Sequence, residues 1–188
     1  MPGVIVLAGG RGTRMGGVDK ASITLAGERL IDRLLRQIPY RAPVAIVSPY
    51  PLGMPQVCES PLFGGPAAGI AAGHAALVSC SEPTTAVFAV DAPDSPRILP
   101  VLEQALESSG ADVAVATLDG HLQPLCALWR TESLTRALKE LGVPRNKSVM
   151  CLLGLADSIV EVEGPAAVRD IDTLDELRER RERRATRL

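Results

Sequence analysis

Aromatic residues are scarce in this chain. One Trp, two Tyr and two Phe make up 3% of 188 residues. A surface that stacks the bases of single-stranded nucleic acid needs aromatic platforms, and this chain has few to offer. Charge of one sign is also missing: 20 Lys and Arg against 22 Asp and Glu leave a formal net charge of −2. No global field therefore favours DNA, RNA or an anionic membrane. No apolar run approaches the roughly 20 residues of a membrane span. The opening MPGVIVLAGG is too short and too glycine-rich for a signal peptide. Cys58, Cys80, Cys126 and Cys151 form no CxxC pair, which argues against a zinc site. Buried free thiols in a reducing cytoplasm are the expectation for these four. Repeats, low-complexity tracts and linkers are lacking too, so residues 1–188 are expected to form one domain with an Ala, Val, Leu and Ile core.

What is present is concentrated at residues 4–20, VIVLAGGRGTRMGGVDK. The β-branched run Val4–Leu7 stops at Ala8-Gly9-Gly10, and a loop follows with Gly12, Gly16 and Gly17 and the cations Arg11, Arg14 and Lys20. A buried strand followed by glycines lets backbone N–H groups crowd an anion. Two common phosphate loops are ruled out. Lys20 is followed by Ala21, not the Ser or Thr of a Walker A loop, and Met15 occupies the place of the third glycine in G-x-G-x-x-G. The next strand ends in Ser48 rather than in a ribose-binding carboxylate, which disfavours an NAD(P)-dependent oxidoreductase.

Strand-like and helix-like segments alternate along the chain. Strands are expected at 4–8, 44–48, 85–90, 112–117, 124–129 and 159–162, with a short one near Val57. Helices are expected at 30–37 (ended by Pro39), 66–79, 97–108, 131–141, 147–155 and from Leu174 onward. This βα alternation predicts an α/β fold with a mostly parallel sheet covered on both faces, a Rossmann-like three-layer sandwich. Ligands in such sheets bind outside the carboxyl ends of the strands. Asp91 follows the buried strand TTAVFAV and is pinned by Pro93. It is a candidate Mg²⁺ ligand, because nucleotide-bound Mg²⁺ is held by one or two carboxylates plus phosphate oxygens. The competing role, a helix cap, suits Asp94 or Ser95 better, since Pro93 and Pro96 delay the helix to about Arg97. Gly64-Gly65-Pro66-Ala67-Ala68-Gly69 is a second glycine cluster, opening a helix whose N-terminus favours negative charge. Thr173 and Glu176 make a capping box that alone would justify their motif.

The first motif, L-A-G-G-x-x-x-R-M-G-G-x-D-K at 7–20, resembles the signature of the MobA-like nucleotidyltransferases. The resemblance extends in order through GPAAGI, Asp91, Q-P-L-C-A-L at 123–128 and DIDTLDEL at 170–177. It implies the nucleotide-diphospho-sugar transferase type of fold. It further implies that Leu7, Ala8, Gly9 and Gly10 wrap a nucleotide, that Arg14 and Lys20 are catalytic groups neutralising its phosphates, and that Asp91 binds both Mg²⁺ and nucleotide. Ser48 matches a position, often Asn, that lines the nucleotide site, and Glu59 matches an acidic nucleotide contact when a one-residue gap is allowed. Both Ser48 and Glu59 are equally readable as loop polarity. Gln123 and the Arg145-Asn146-Lys147 segment are implied on the acceptor side. His121 reads as a loop residue and His74 as packing.

Departures from the family pattern occur at Ala89, Val90 and Ala92 around the metal-binding Asp, and at Asp170, Asp172 and Leu174. LAGG and GGPAAGI resemble the molybdenum cofactor guanylyltransferase branch, whereas D-x-D at 170–172 resembles the cytidylyltransferase branch. The implied reaction is GMP transfer from GTP to the terminal phosphate of molybdopterin, with Mg²⁺ as cofactor. Other molybdenum cofactor biosynthesis proteins or target molybdoenzymes are implied as candidate partners. A cytidylyltransferase and a catalytically silent nucleotide-binding adaptor remain as alternatives.

Overall fold

The computed structural model describes residues 1–10 and 19–171. The strands are β1 (Gly3–Leu7), β2 (Thr24–Leu25), β3 (Glu28–Arg29), β4 (Val44–Val47), β5 (Thr84–Ala89), β6 (Val113–Leu118), β7 (His121–Arg130) and β8 (Ile159–Glu163). The α-helices are α1 (Leu30–Leu35), α2 (Pro66–Leu77), α3 (Leu99–Ser109), α4 (Thr131–Leu141) and α5 (Val149–Leu153). One six-stranded sheet runs in the order β4-β1-β5-β7-β6-β8. Every pairing in it is parallel except those of β7, which runs antiparallel to both β5 and β6. Among the described residues no helix is long and apolar enough to cross a membrane.

The three layers follow from strand alternation. Val4, Val6 and Ala8 face one core with Leu30, Ile31 and Leu34 of α1 and Leu99, Leu102 and Leu106 of α3. Ile5 and Leu7 face the other with Ile70 of α2, Leu134 of α4 and Leu152 of α5. A strand buried on both faces must be apolar throughout, which is why residues 4–7 show no alternation of their own.

Helix α2 lies unusually close to the sheet because its facing positions are glycines. A Cβ on Gly69 would stand 3.1 Å from Leu7 Cδ2, and one on Gly73 only 2.5 Å from Ile5 Cγ2 and 3.1 Å from Val47 Cγ2. Both contacts of Gly73 are stiff β-branched side chains on buried strands. Gly73→Ala should therefore lower stability by about 1–3 kcal/mol through overpacking, outweighing the roughly 1 kcal/mol that alanine gains in a helix. A urea midpoint at or above the wild-type value would show instead that the helix can retreat.

Several expectations are corrected by the structure. Helix α1 ends at Leu35, ahead of Pro39, because the N–H groups of Gln37 and Ile38 bond to Leu34 and Leu35, tightening the last turn to an i−3 pattern. The strand expected at 124–129 begins at His121. It forms a hairpin with β6 through Asp119-Gly120, whose φ values of 52° and 75° suit a two-residue primed turn. Pro124 falls where the β6–β7 register breaks, between Val115 and Ala116 of the partner, so its missing N–H disrupts no ladder bond. The β2–β3 hairpin turns on Ala26-Gly27, also at positive φ, and lay unrecognised in the sequence because alanine is a weak signal there. Asp94 precedes a 3-10 turn (Ser95–Ile98) without capping it. All four cysteines are free, as expected, but only Cys126 is buried; Cys58, Cys80 and Cys151 are exposed. The helix expected from Leu174 lies outside the described residues.

Candidate active site

The register of the parallel strands brings three chain segments to one edge. Leu7 pairs with Val47 on one side and Ala89 on the other. The ladder continues one residue further: Ala8 N–H donates to Val47 O at 2.9 Å, and Val90 N–H donates to Leu7 O at 3.0 Å. The residues just beyond the three strands, Gly9-Gly10, Ser48 and Asp91, are thereby gathered at the carboxyl edge. Leu7 and Ala8 are buried, so their side chains serve as walls. A Cβ on Gly9 would come within 2.7 Å of Pro49 Cδ, which reserves the position for glycine. Gly10 is exposed and its carbonyl accepts from the Tyr50 hydroxyl at 3.4 Å.

Lys20 opens a 3-10 turn (Lys20–Ser22) capped by Asp19, whose carboxylate accepts from Ala21 N–H at 3.0 Å and from the Ser22 hydroxyl at 2.5 Å. From there its Nζ reaches Asp91 Oδ2 and the carbonyl of Ile171, each at 3.3 Å. The side chains of Lys20 and Asp91 are 20% and 25% exposed, so they are shielded yet accessible to a ligand arriving at the sheet edge. Arg14, Arg11, Gly12, Gly16, Gly17 and Asp172 lie outside the described residues.

Ser48 sits at the expected strand end but is 2% exposed. Its hydroxyl donates to Tyr50 O at 3.0 Å and accepts from Tyr50 N–H at 3.1 Å. Gln56, a residue sequence reasoning missed, donates to both Ser48 O and Tyr50 O and accepts from Leu52 N–H. Together they shape the loop after β4. Glu59 is half-buried, with its Cγ 3.5 Å from where a Cβ of Gly64 would lie. The second glycine cluster is thus beside it. Gly65 has φ +89°, and Asn146 N–H donates to Gly64 O at 2.6 Å. This contact brings the Arg145–Lys147 segment against the start of α2. Gln123 and His121 are joined to each other, Gln123 Nε2 donating to His121 O at 3.3 Å at the tip of the β6–β7 hairpin.

The loop carrying Asp91 is fixed from below by a pair that sequence reasoning also missed. Arg33 Nη2 donates to both carboxylate oxygens of Asp94 at 2.6 Å, with both side chains nearly inaccessible. Gln37 Nε2 adds bonds to Pro93 O at 2.6 Å and Asp94 Oδ1 at 3.2 Å. A signal existed: Arg33 is a lone charge among Leu30, Ile31 and Leu34 on the buried side of α1. A charge there needs a partner.

The electrostatics favour a non-covalent, phosphate-handling site. Burial pushes the Cys126 thiol up to about 12, with the Asp170 charge acting in the same direction. A thiol so held stays protonated and is no nucleophile. Burial lowers the pKa of His74, whose Nε2 is 3.0 Å from Thr135 Oγ1 on the far end of α2. Among the described residues no group of three or more His, Cys, Asp or Glu could hold a metal alone. One exposed-edge carboxylate, Asp91, suits Mg²⁺ arriving with a nucleotide, which brings phosphate oxygens and water to complete the shell.

A mixed, mostly parallel sheet with a glycine loop, a lysine and a carboxylate at the ends of adjacent strands defines a nucleotidyltransferase of the nucleotide-diphospho-sugar transferase fold. The solved structure of molybdopterin-guanine dinucleotide biosynthesis protein A from Archaeoglobus fulgidus superposes with a TM-score of 0.73 at 22% identity, covering 97% of this chain and 98% of that one. In sequence, residues 4–157 match the model of the MobA-like NTP transferase domain. The chain belongs to that family. It is 32% identical over 186 residues to the molybdenum cofactor guanylyltransferase of Cupriavidus pinatubonensis, covering 92% of each. It is 34% identical over 135 residues to that of Sinorhizobium fredii, covering 66% of this chain and 62% of the relative.

Proposed function

We propose that the protein transfers GMP from GTP to the terminal phosphate of molybdopterin, releasing pyrophosphate. The observation that carries this reading is the Lys20–Asp91 pair at the carboxyl edge of β1 and β5, beside Gly9-Gly10. The names of the similar guanylyltransferases support guanine and molybdopterin as the substrate pair. The acceptor phosphate attacks the α-phosphorus of GTP in line. A new P–O bond forms as the bond to the β-phosphate oxygen breaks, and pyrophosphate leaves with the electron pair. The acceptor is already anionic, so no strong general base is required; the task is to hold two polyanions together and offset their charge. Lys20, with Arg14, neutralises the β- and γ-phosphates and the leaving pyrophosphate. Gly9 lets the backbone approach the nucleotide closely. Asp91 would hold Mg²⁺, which supplies positive charge at the phosphates when bound. Arg145 and Lys147, next to Gly64-Gly65, would meet the acceptor phosphate.

A second reading, CMP transfer from CTP, is favoured by Asp170 and Asp172. Thermal unfolding with each of GTP, CTP, ATP and UTP, with and without Mg²⁺, separates the two. A nucleotide at about 100 times its Kd stabilises the fold by about 2.7 kcal/mol. A Mg²⁺-dependent rise in midpoint with GTP alone is the expected result. A rise with CTP alone would move the protein to cytidylyl transfer, and no rise with any nucleotide would leave a silent adaptor.

A further inference from the structure

Asp91, Lys20 and Ile171 close a ring of three hydrogen bonds. Lys20 Nζ donates to Asp91 Oδ2 and to Ile171 O, and Ile171 N–H donates back to Asp91 O at 2.8 Å. Ile171 is thus joined through its main chain to both groups, although it lies 151 residues from Lys20. Its side chain is 1% exposed and belongs to the same core as Val162, Val168, Ile98 and Cys126. The segment leading to it is tied down repeatedly. Gly164 N–H donates to Thr117 O at 2.8 Å, a 3-10 turn spans Ala166–Val168, and Arg169 pairs with Asp119 at 2.7 Å. A lysine is a compact charge on a flexible stem with rotatable donors. A rigid second acceptor beside the carboxylate gives that stem one direction.

We propose that Ile171 is a positioning residue: its buried side chain anchors the chain so that its main-chain N–H and C=O set Asp91 and the Lys20 ammonium relative to each other. The inference rests on the reading of Lys20 and Asp91 as the phosphate-handling pair. It assigns a task to the segment after β8 beyond continuing the fold. Ile171 acts through Lys20, touching no substrate, and its effect on the reaction should vanish when Lys20 is absent.

A double-mutant cycle on the full chain tests this, measuring kcat, KM for GTP and, by calorimetry, GTP affinity for wild type, Ile171→Ala, Lys20→Ala and the double variant. Displacing a positioned group can cost up to about 10²-fold in rate. Ile171→Ala should lower kcat at least about tenfold beside an intact Lys20, and by less than about twofold in the Lys20→Ala background, the margin expected of uncoupled sites. GTP affinity should follow the same pattern. Equal losses in both backgrounds, or no loss in either, would overturn the proposal and leave Ile171 a core residue. Unchanged turnover and GTP affinity in Lys20→Ala would instead refute the reading of the site on which it rests. Where Ile171→Ala does not fold at the assay temperature, Ile171→Val takes its place in the cycle, and a smaller loss that again disappears without Lys20 is the supporting result.

Discussion

Asp91→Ala should abolish the Mg²⁺-dependent transfer while leaving the fold intact. The side chain is a quarter exposed and pairs with Lys20 across the edge of the sheet, so its removal leaves no buried cavity. The bond that joins the neighbouring segment to this position comes from Ile171 N–H to the Asp91 main-chain carbonyl, which alanine retains. The unfolding midpoint should therefore stay near the wild-type value. Turnover is another matter. No cluster of three metal-binding side chains is present among the described residues to stand in for the lost carboxylate. Removing a single preorganised group that offsets transition-state charge costs about 10²–10³ in kcat, and loss of the metal's anchor should cost at least that much. Initial rates across a Mg²⁺ titration provide the check. Wild type should rise with the cation and the variant should stay flat; an unchanged dependence on Mg²⁺ would refute the role of Asp91.

The largest effect on stability is expected one loop turn away. Arg33 and Asp94 are 5% and 12% exposed at their side chains, and Arg33 Nε and Nη1 have no hydrogen-bond partner. Asp94→Ala would leave a guanidinium buried without its carboxylate, a change that costs about 3–5 kcal/mol. Replacing both, as Arg33→Met with Asp94→Leu, removes the two charges together and should recover most of that loss, because buried pairs often do no better than well-packed apolar residues. Equilibrium unfolding of the single and double variants tests the coupling. If Asp94→Ala cost under about 1 kcal/mol, the pair would be behaving as a surface ion pair. Because Gln37 and Arg33 hold the Pro93–Asp94 backbone, the double variant should be stable yet impaired in turnover, separating what the pair contributes to folding from what it contributes to placing Asp91.

Much of this arrangement was legible in the chain, and the illegible parts share a cause. The run Val4–Leu7 announced a strand buried on both faces, and its ending in Ala8-Gly9-Gly10 announced backbone exposed to a ligand. Asp91 was found by its place directly after a strand. The primed turn at Asp119-Gly120 carried a recognised hairpin signal, yet regular βα alternation around it masked the antiparallel course of β7. Ser48 was placed at the right edge, while the use of its hydroxyl depended on Tyr50 and Gln56, whose positions no local pattern encodes. Arg33 was visible as a charge on an apolar helix face, but its partner lies 61 residues away.

By itself the sequence determined the class of sheet, the loop that meets the phosphates and the carboxylate beside it. These depend on periodicity, on glycine and on the residue type at the end of a strand, all of which are local properties of the chain. Only the tertiary structure decided that Lys20 meets Asp91 across 71 residues, that Ile171 closes the ring across 151, and that Arg33 holds the loop beneath. Such contacts are set by strand order, register and the packing of helices on the sheet, and no stretch of sequence contains both partners.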